Sequence, residues 1–312
     1  MQLTNTGLLN SGKNLFNWFF NIKPVHTDNV DTSIDYFRVL LIVVFHLACL
    51  AVFYVGISVT AILLAVFLYL SRMFFITGFY HRYFSHRTYK ASRLFQFVMA
   101  IAGCTAGQRG PLWWASHHRH HHMSADTELD PHSPRHGFIN SHMLWFLRKN
   151  NFYLKEERIK DWLKYPELRM LEHFDWLPFL LLAFACYGLG EFLYAFVPSL
   201  QTNGLQLLVW GFFISTVVLY HATYTINSLA HRYGKRRYET KDDSRNNFFL
   251  ALLTLGEGWH NNHHRYPNAT RQGFFWWELD ISYFMIVLLS HLGLIHSIQA
   301  VPASVLQEAR KV

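Results

Sequence analysis

The chain has 312 residues, of which 51% are hydrophobic, 17% aromatic and only 15% charged. So few charges, against roughly 25% in a typical soluble chain, argue against disorder, a coiled coil and an ordinary soluble enzyme. The balance is basic, with 28 Lys and Arg against 20 Asp and Glu, and 20 residues are histidine, far more than a helix or a core needs.

Residues 1–35 are polar and form an N-terminal segment whose stretch Leu15–Ile22 is expected in a membrane interface. No signal peptide is expected, since no clean apolar run is followed by a small-residue cleavage site. The chain then turns apolar over 37–56 and 57–79, and again over 174–197 and 205–227. A span needs about 20 apolar residues, so these read as four transmembrane helices. Gly56 marks the turn of the first hairpin. Arg72, inside the second span, is expected to snorkel toward the end that carries His81. Leu94–Gly107 is too short to cross comfortably and suits an interfacial or re-entrant helix. Glu191 reads as a headgroup-level residue. Phe275–Ile298 contains Glu278, Asp280, His291 and His296, and is expected to lie on the membrane or on the cap. Residues 36–298 thus form one membrane domain, and 299–312 a short tail. Cys49, Cys104 and Cys186 sit in apolar segments and read as small buried hydrophobes.

Lys and Arg set the orientation. Segments 80–173 and 228–312 hold 14 and 10 of the 28. The positive-inside rule makes both cytoplasmic, with the N-terminus. Basic loops beside a membrane need no nucleic acid to explain them, and none is expected as a partner.

Histidines cluster in four places. His81-Arg-Tyr-Phe-Ser-His86 follows the second span. His118-Arg-His-His121-His122 lies in the first cytoplasmic segment. His231 closes Asn227-Ser-Leu-Ala-His231, and His260-Asn-Asn-His263-His264 lies in the last segment. On a helix, positions i, i+3 and i+4 share a face, so each triplet can aim three imidazoles at one point. His81 and His86 are about 140° apart on an α-helix, so they serve different metals or the helix breaks between them. Counting spans returns every cluster to the same membrane face. Nine imidazoles exceed one ion's needs, so two ions are implied, and neutral imidazole suits iron, zinc, copper or nickel. His46, His142 and His221 read as lone structural histidines, and His120 is ambiguous.

The order of these boxes, with Trp113-Trp114, Asp130-Pro-His132 and Gly256-Glu-Gly-Trp-His260 around them, resembles the membrane-bound fatty acyl desaturases of the stearoyl-CoA type. The segments GPLWWASHHRHHH and GEGWHNNHH look more like the bacterial branch than the animal one. The resemblance covers roughly residues 35–290. It implies an all-α membrane protein whose four spans carry a helical cytoplasmic cap with a di-iron site. The iron ligands would be His81, His86, His118, His121, His122, His231, His260, His263 and His264, with Asn227 acting through a water. Asp126, Glu128 and Asp130 match the family's acidic run and would orient ligands from behind. The implied reaction is O2-dependent desaturation of a long-chain acyl group, on CoA or in a lipid, at carbon 9. Zinc can replace iron in a purified protein.

The chain has no spare length for a redox domain, so a cytochrome, ferredoxin or flavin reductase is expected to supply electrons. A tunnel is expected between the first two spans, past Trp114, with Tyr69 or Ala65 at the methyl end. Two other functions stay open. A hydroxylase would use the same site, and a metal transporter would place its ligands inside the spans, where only His46 and His221 lie. If the source is bacterial, the protein sits in the inner membrane with its active site and both termini facing the cytoplasm.

Overall fold

A computed structural model describes residues 31–309; Leu15–Ile22 lies outside them. The first span, α1 (Tyr36–Val55), starts at Asp35, whose carboxylate accepts the N–H groups of Phe37 and Arg38 at 3.1 and 3.3 Å. Such a side-chain acceptor replaces the partner that a first-turn amide lacks. Gly56, at φ +68°, turns the chain where a side chain would be strained. Ser58 then caps α2 (Val59–Ser85) by accepting from Ala61. The last 11 residues of α2, Phe75–Ser85, wind as a π-helix.

Past a two-residue strand, β1 (Lys90–Ala91), come α3 (Arg93–Cys104) and α4 (Pro111–Ser124). At 12 residues α3 is too short to cross a bilayer, as its apolar run indicated. Helix α5 (Pro166–His173) leads into the third and fourth spans, α6 (Trp176–Phe196) and α7 (Gly204–Ser228). Glu191 has a plain structural role: its Oε1 accepts the Gly204 N–H at 3.0 Å, beside the Asn203 side chain that caps the same helix.

The rest of the chain builds the cap from α8 (Phe248–Leu253), α9 (His260–Arg265), α10 (Ile281–His291) and α11 (Ala303–Glu308). Helix α10 has 11 residues and is no fifth span. β2 (Ile295–His296) pairs antiparallel with β1. The C-terminal residues are held on the cap, with Val305 packed against Tyr238, Ala269 and Phe274 and Glu308 bound to Arg265.

The main core lies where the spans enter the cap. It includes Tyr80, Phe84, Met99, Leu112, Ile159, Trp162 and Leu168. The spans expose most of their surface, α7 excepted, as lipid-facing helices do. Arg72 departs from expectation. It does not snorkel: its guanidinium is buried and donates to Thr216 Oγ1 at 2.7 Å and to Ser215 on α7. Two hydroxyls supplied by the neighbouring span remove the need to reach water.

Candidate metal centre

The histidines collect into two groups. His81, His86, His118, His122 and His263 form one, and His121, His231, His260 and His264 the other; within each, the ligand atoms lie within 4.8 Å of one another. Nε2 atoms meet at 3.0 Å for His81 and His263, 2.8 Å for His86 and His118, 2.9 Å for His122 and His263, and 3.0 Å for His231 and His260.

Two local expectations are corrected. His81 and His86 share a group because the π-helix advances about five residues per hydrogen-bonded turn. The His86 N–H donates to the His81 carbonyl at 3.2 Å, which brings residues five apart into line. Nor does either triplet aim at one point. The i, i+4 pair His118 and His122 enters the first group while His121 enters the second; His260 and His264 enter the second while His263 enters the first. Neighbouring helical residues point about 100° apart. Each of α4 and α9 therefore contributes to both groups and ties them together.

Carboxylates stand behind four of the rings. His231 Nδ1 donates to Asp126 at 2.7 Å, His121 Nδ1 to Asp130 at 2.9 Å, and His264 Nδ1 to Asp242 at 2.8 Å; His81 Nδ1 pairs with Glu257. Asp126 adopts φ +58°, a conformation that Asp tolerates, and its carboxylate also accepts the Asp243 N–H and the Ser133 hydroxyl. Glu128, expected among these residues, is 96% exposed and its partner is His136, 4.0 Å away. Asp242 and Glu257 were missed. Glu257 stands in the Gly256-Glu-Gly-Trp-His260 turn, three residues before a ligand-type histidine, which was a usable signal. Asp242 sits in a polar loop with no spacing cue.

Burial sets the charge of the site. It pushes His86, His118, His122, His260 and His263 well below the ordinary imidazole range, and His264 down to about 4. These rings are neutral at physiological pH, the form that binds metals. Burial works the other way on the carboxyls but loses. The His231 bond holds Asp126 at about 2, and histidine partners keep Asp130 and Asp242 lower still.

The donor set fits a cation. A neutral imidazole carries one N–H. His264 directs its own at Nδ1 outward to Asp242, which leaves its Nε2 lone pair without a proton. His264 Nε2 and His260 Nδ1 are buried and have no hydrogen-bond partner. Converging unprotonated lone pairs in a buried site call for a positive ion. Of the three cysteines, none belongs to either group.

Two cavities meet at the histidines. The larger, about 320 Å³, is lined by Leu41, Ile42 and Phe45 of α1, Phe179 of α6 and Tyr220 and Tyr224 of α7. The smaller, about 50 Å³, is lined by Met73, Ile76 and Thr77 of α2 with His81, His121 and His260. Trp114, His118, Thr223 and Asn227 border both. Trp114 stacks on His118 with centroids 4.9 Å apart. Tyr69 and Ala65 line neither cavity. The Tyr69 hydroxyl turns away to donate to the Leu253 carbonyl at 2.5 Å. The larger cavity lies among α1, α6 and α7.

The model of the fatty acid desaturase family matches residues 57–281. An acyl-CoA 5-desaturase of Anemone leveillei is 38% identical over 288 residues, covering 91% of this chain and 85% of its own. An sn-2 palmitoyl-lipid 9-desaturase of a Nostoc species is 35% identical, covering 72% of this chain and 75% of its own. A Delta-9 acyl-lipid desaturase of Arabidopsis thaliana is 36% identical, covering 70% and 68%. Histidine groups, four apolar spans and these likenesses agree: the chain is a membrane enzyme, an oxidoreductase that belongs to the fatty acid desaturase family.

Proposed function

We propose that this enzyme introduces a cis double bond at carbon 9 of a long-chain saturated acyl group, using O2, two iron ions and electrons from a separate donor. The observation that carries the reading is the opening of both histidine groups onto one apolar cavity system beside Trp114 and Asn227. Of the possible carriers, the resemblance to the stearoyl-CoA type favours CoA. A lipid ester is the second reading, favoured by a seam between α1 and α7. The basic flanks of the spans support a cytoplasmic cap.

Iron ions held by the nine histidines, with O2 and two electrons, would supply the oxidant that takes two hydrogens from adjacent methylenes and leaves an alkene and water. The chain's own residues do the rest. Asp126, Asp130, Asp242 and Glu257 fix ring orientation and tautomer. Asn227 borders the small cavity with His121 and His260 and would reach the second group through a water. Apolar walls exclude bulk water and hold one carbon–carbon bond near the metals, so the bond position is set by positioning.

Expression in a desaturase-deficient host, followed by mass spectrometry that locates double bonds, tests the reaction. New unsaturation at carbon 9 is expected; hydroxylated chains without alkenes would make the protein a hydroxylase. The purified protein should show no turnover with NADPH and O2 alone. With its donor, turnover should fall severalfold as salt rises, because screening weakens the encounter of charged surfaces. The cavity walls give a further expectation. Ile42→Trp should shift the product profile to shorter chains, while Tyr69→Phe should leave it unchanged. The reverse pattern would return the tunnel to Tyr69.

A further inference from the structure

Three histidines outside the metal groups form a chain of their own. His46 Nδ1 donates to the Ile42 carbonyl at 2.7 Å, and His46 Nε2 lies 2.9 Å from His221 Nε2. His221 Nδ1 lies 3.0 Å from His142 Nε2, and His142 Nδ1 lies 3.0 Å from Ser228 Oγ. One proton assignment joins the three rings. The Ile42 carbonyl fixes His46 as Nδ1–H, so its Nε2 accepts from His221. His221 Nδ1 then accepts from His142 Nε2–H, and His142 Nδ1 meets Ser228 Oγ, whose hydroxyl donates to the Tyr224 carbonyl at 3.0 Å. The chain crosses from α1 to α7 to the cap turn 140–144.

Its location is informative. His46 lies ten residues into α1, roughly 15 Å from the helix start. Polar groups at such depth are expensive and mark function more often than packing. Helix α1 packs on α7 along Leu208–Ile214, where Phe45 meets Phe212 and Phe213 at 5.6 and 5.3 Å. Toward the cap the two backbones part. The large cavity fills the gap, with Ile42 and Phe45 on one wall and Tyr220, Thr223 and Tyr224 on the other. The imidazole chain links α1 to α7 beside this gap, though it does not line the cavity, and is only half-buried; Val43, Val218 and Ile139, exposed and apolar, neighbour it in sequence. A greasy seam needs no imidazoles to stay shut. Hydrogen bonds between neutral polar groups within membranes are weak, so such a closure opens at little expense.

Building on the second, lipid-ester reading of the proposed desaturase, we infer that the His46–His221–His142 chain is the latch of a lateral portal, through which an acyl chain still esterified in a bilayer phospholipid enters the large cavity. The shared chemistry is the acyl chain, and the bilayer is its source.

The test uses the full-length protein in phosphatidylcholine vesicles doped with a phosphatidylcholine whose sn-2 chain ends in a photoreactive diazirine. After illumination, labelled peptides are mapped by mass spectrometry. Labelling is expected at the cavity walls around Phe45 and Tyr220. In a His46→Cys, His221→Cys protein, made on a Cys49→Ala background, oxidation should lower this labelling at least tenfold and dithiothreitol should restore it. A diazirine-tipped acyl-CoA should label the oxidised and reduced forms alike. A His46→Ala, His142→Ala protein, with the latch removed, should take up severalfold more phospholipid label, and this arm decides the matter if the cysteines do not couple. Phospholipid labelling indifferent to these changes would overturn the portal, and an equal loss of acyl-CoA labelling would overturn its assignment to phospholipid. Labelling needs no turnover. A protein that follows the latch pattern yet forms no alkene would refute the desaturase reading and keep the portal.

Discussion

His118→Ala should lose an iron ion and essentially all activity. His118 touches both His86 and His122 at 2.8 and 3.0 Å, so its removal opens the first group at its middle. Iron content should fall from two ions per chain toward one, read by elemental analysis of the purified protein. His120→Ala is the matched control. His120 sits in the same box but donates to the Leu129 carbonyl at 3.0 Å and joins neither group. It should keep its metal. Asp242→Asn should be intermediate, since outer partners of ligand histidines are worth about 10–100-fold in affinity or activity. Full metal and activity in His118→Ala would remove the nine-ligand centre.

The second large effect is on folding. Arg82 is fully buried beside Asp280 at 2.9 Å and Glu257 at 3.1 Å. Asp280 also accepts the N–H groups of Gln272, Gly273 and Tyr283, so it ties α10 to the end of α2. Asp280→Ala leaves a buried guanidinium short of a counter-charge and three amides without an acceptor. Breaking such a pair costs about 3–5 kcal/mol, a large share of a typical stability. Thermal unfolding in detergent should show a clear drop, larger for Asp280→Ala than for Asp280→Asn, which keeps an acceptor. Equal melting of all three proteins would show that the pair carries no net stability. Because Glu257 also holds His81, metal content should decline with stability.

Much of this architecture is legible in the sequence because the bilayer allows few solutions. Length and apolarity locate four spans, and counting them puts every histidine box on one face. The ligand-type residues are legible on similar grounds: imidazoles repeated at helical spacing beside a membrane are costly to bury unless an ion receives their lone pairs. What escapes is local winding and long-range pairing. The π-turn that aligns His81 with His86 breaks the 3.6-residue count on which periodicity rests. The division of each triplet follows from which helices flank it, a tertiary fact. Asp242 joins His264 across a loop, and Arg72 is satisfied by hydroxyls 143 and 144 positions away. His46, His142 and His221 look incidental singly, because nothing in the chain order joins residues of the first span, the cap and the fourth span.

The carboxylates are shared unequally between the two histidine groups. Three stand behind the four rings of the second group. Among the described residues only Glu257 stands behind the five of the first, and the Arg82 guanidinium offsets its charge. An ion held by His121, His231, His260 and His264 would therefore feel a stronger negative field than one held by the first group. If iron filled both groups, the two ions would be inequivalent and distinguishable by Mössbauer spectroscopy.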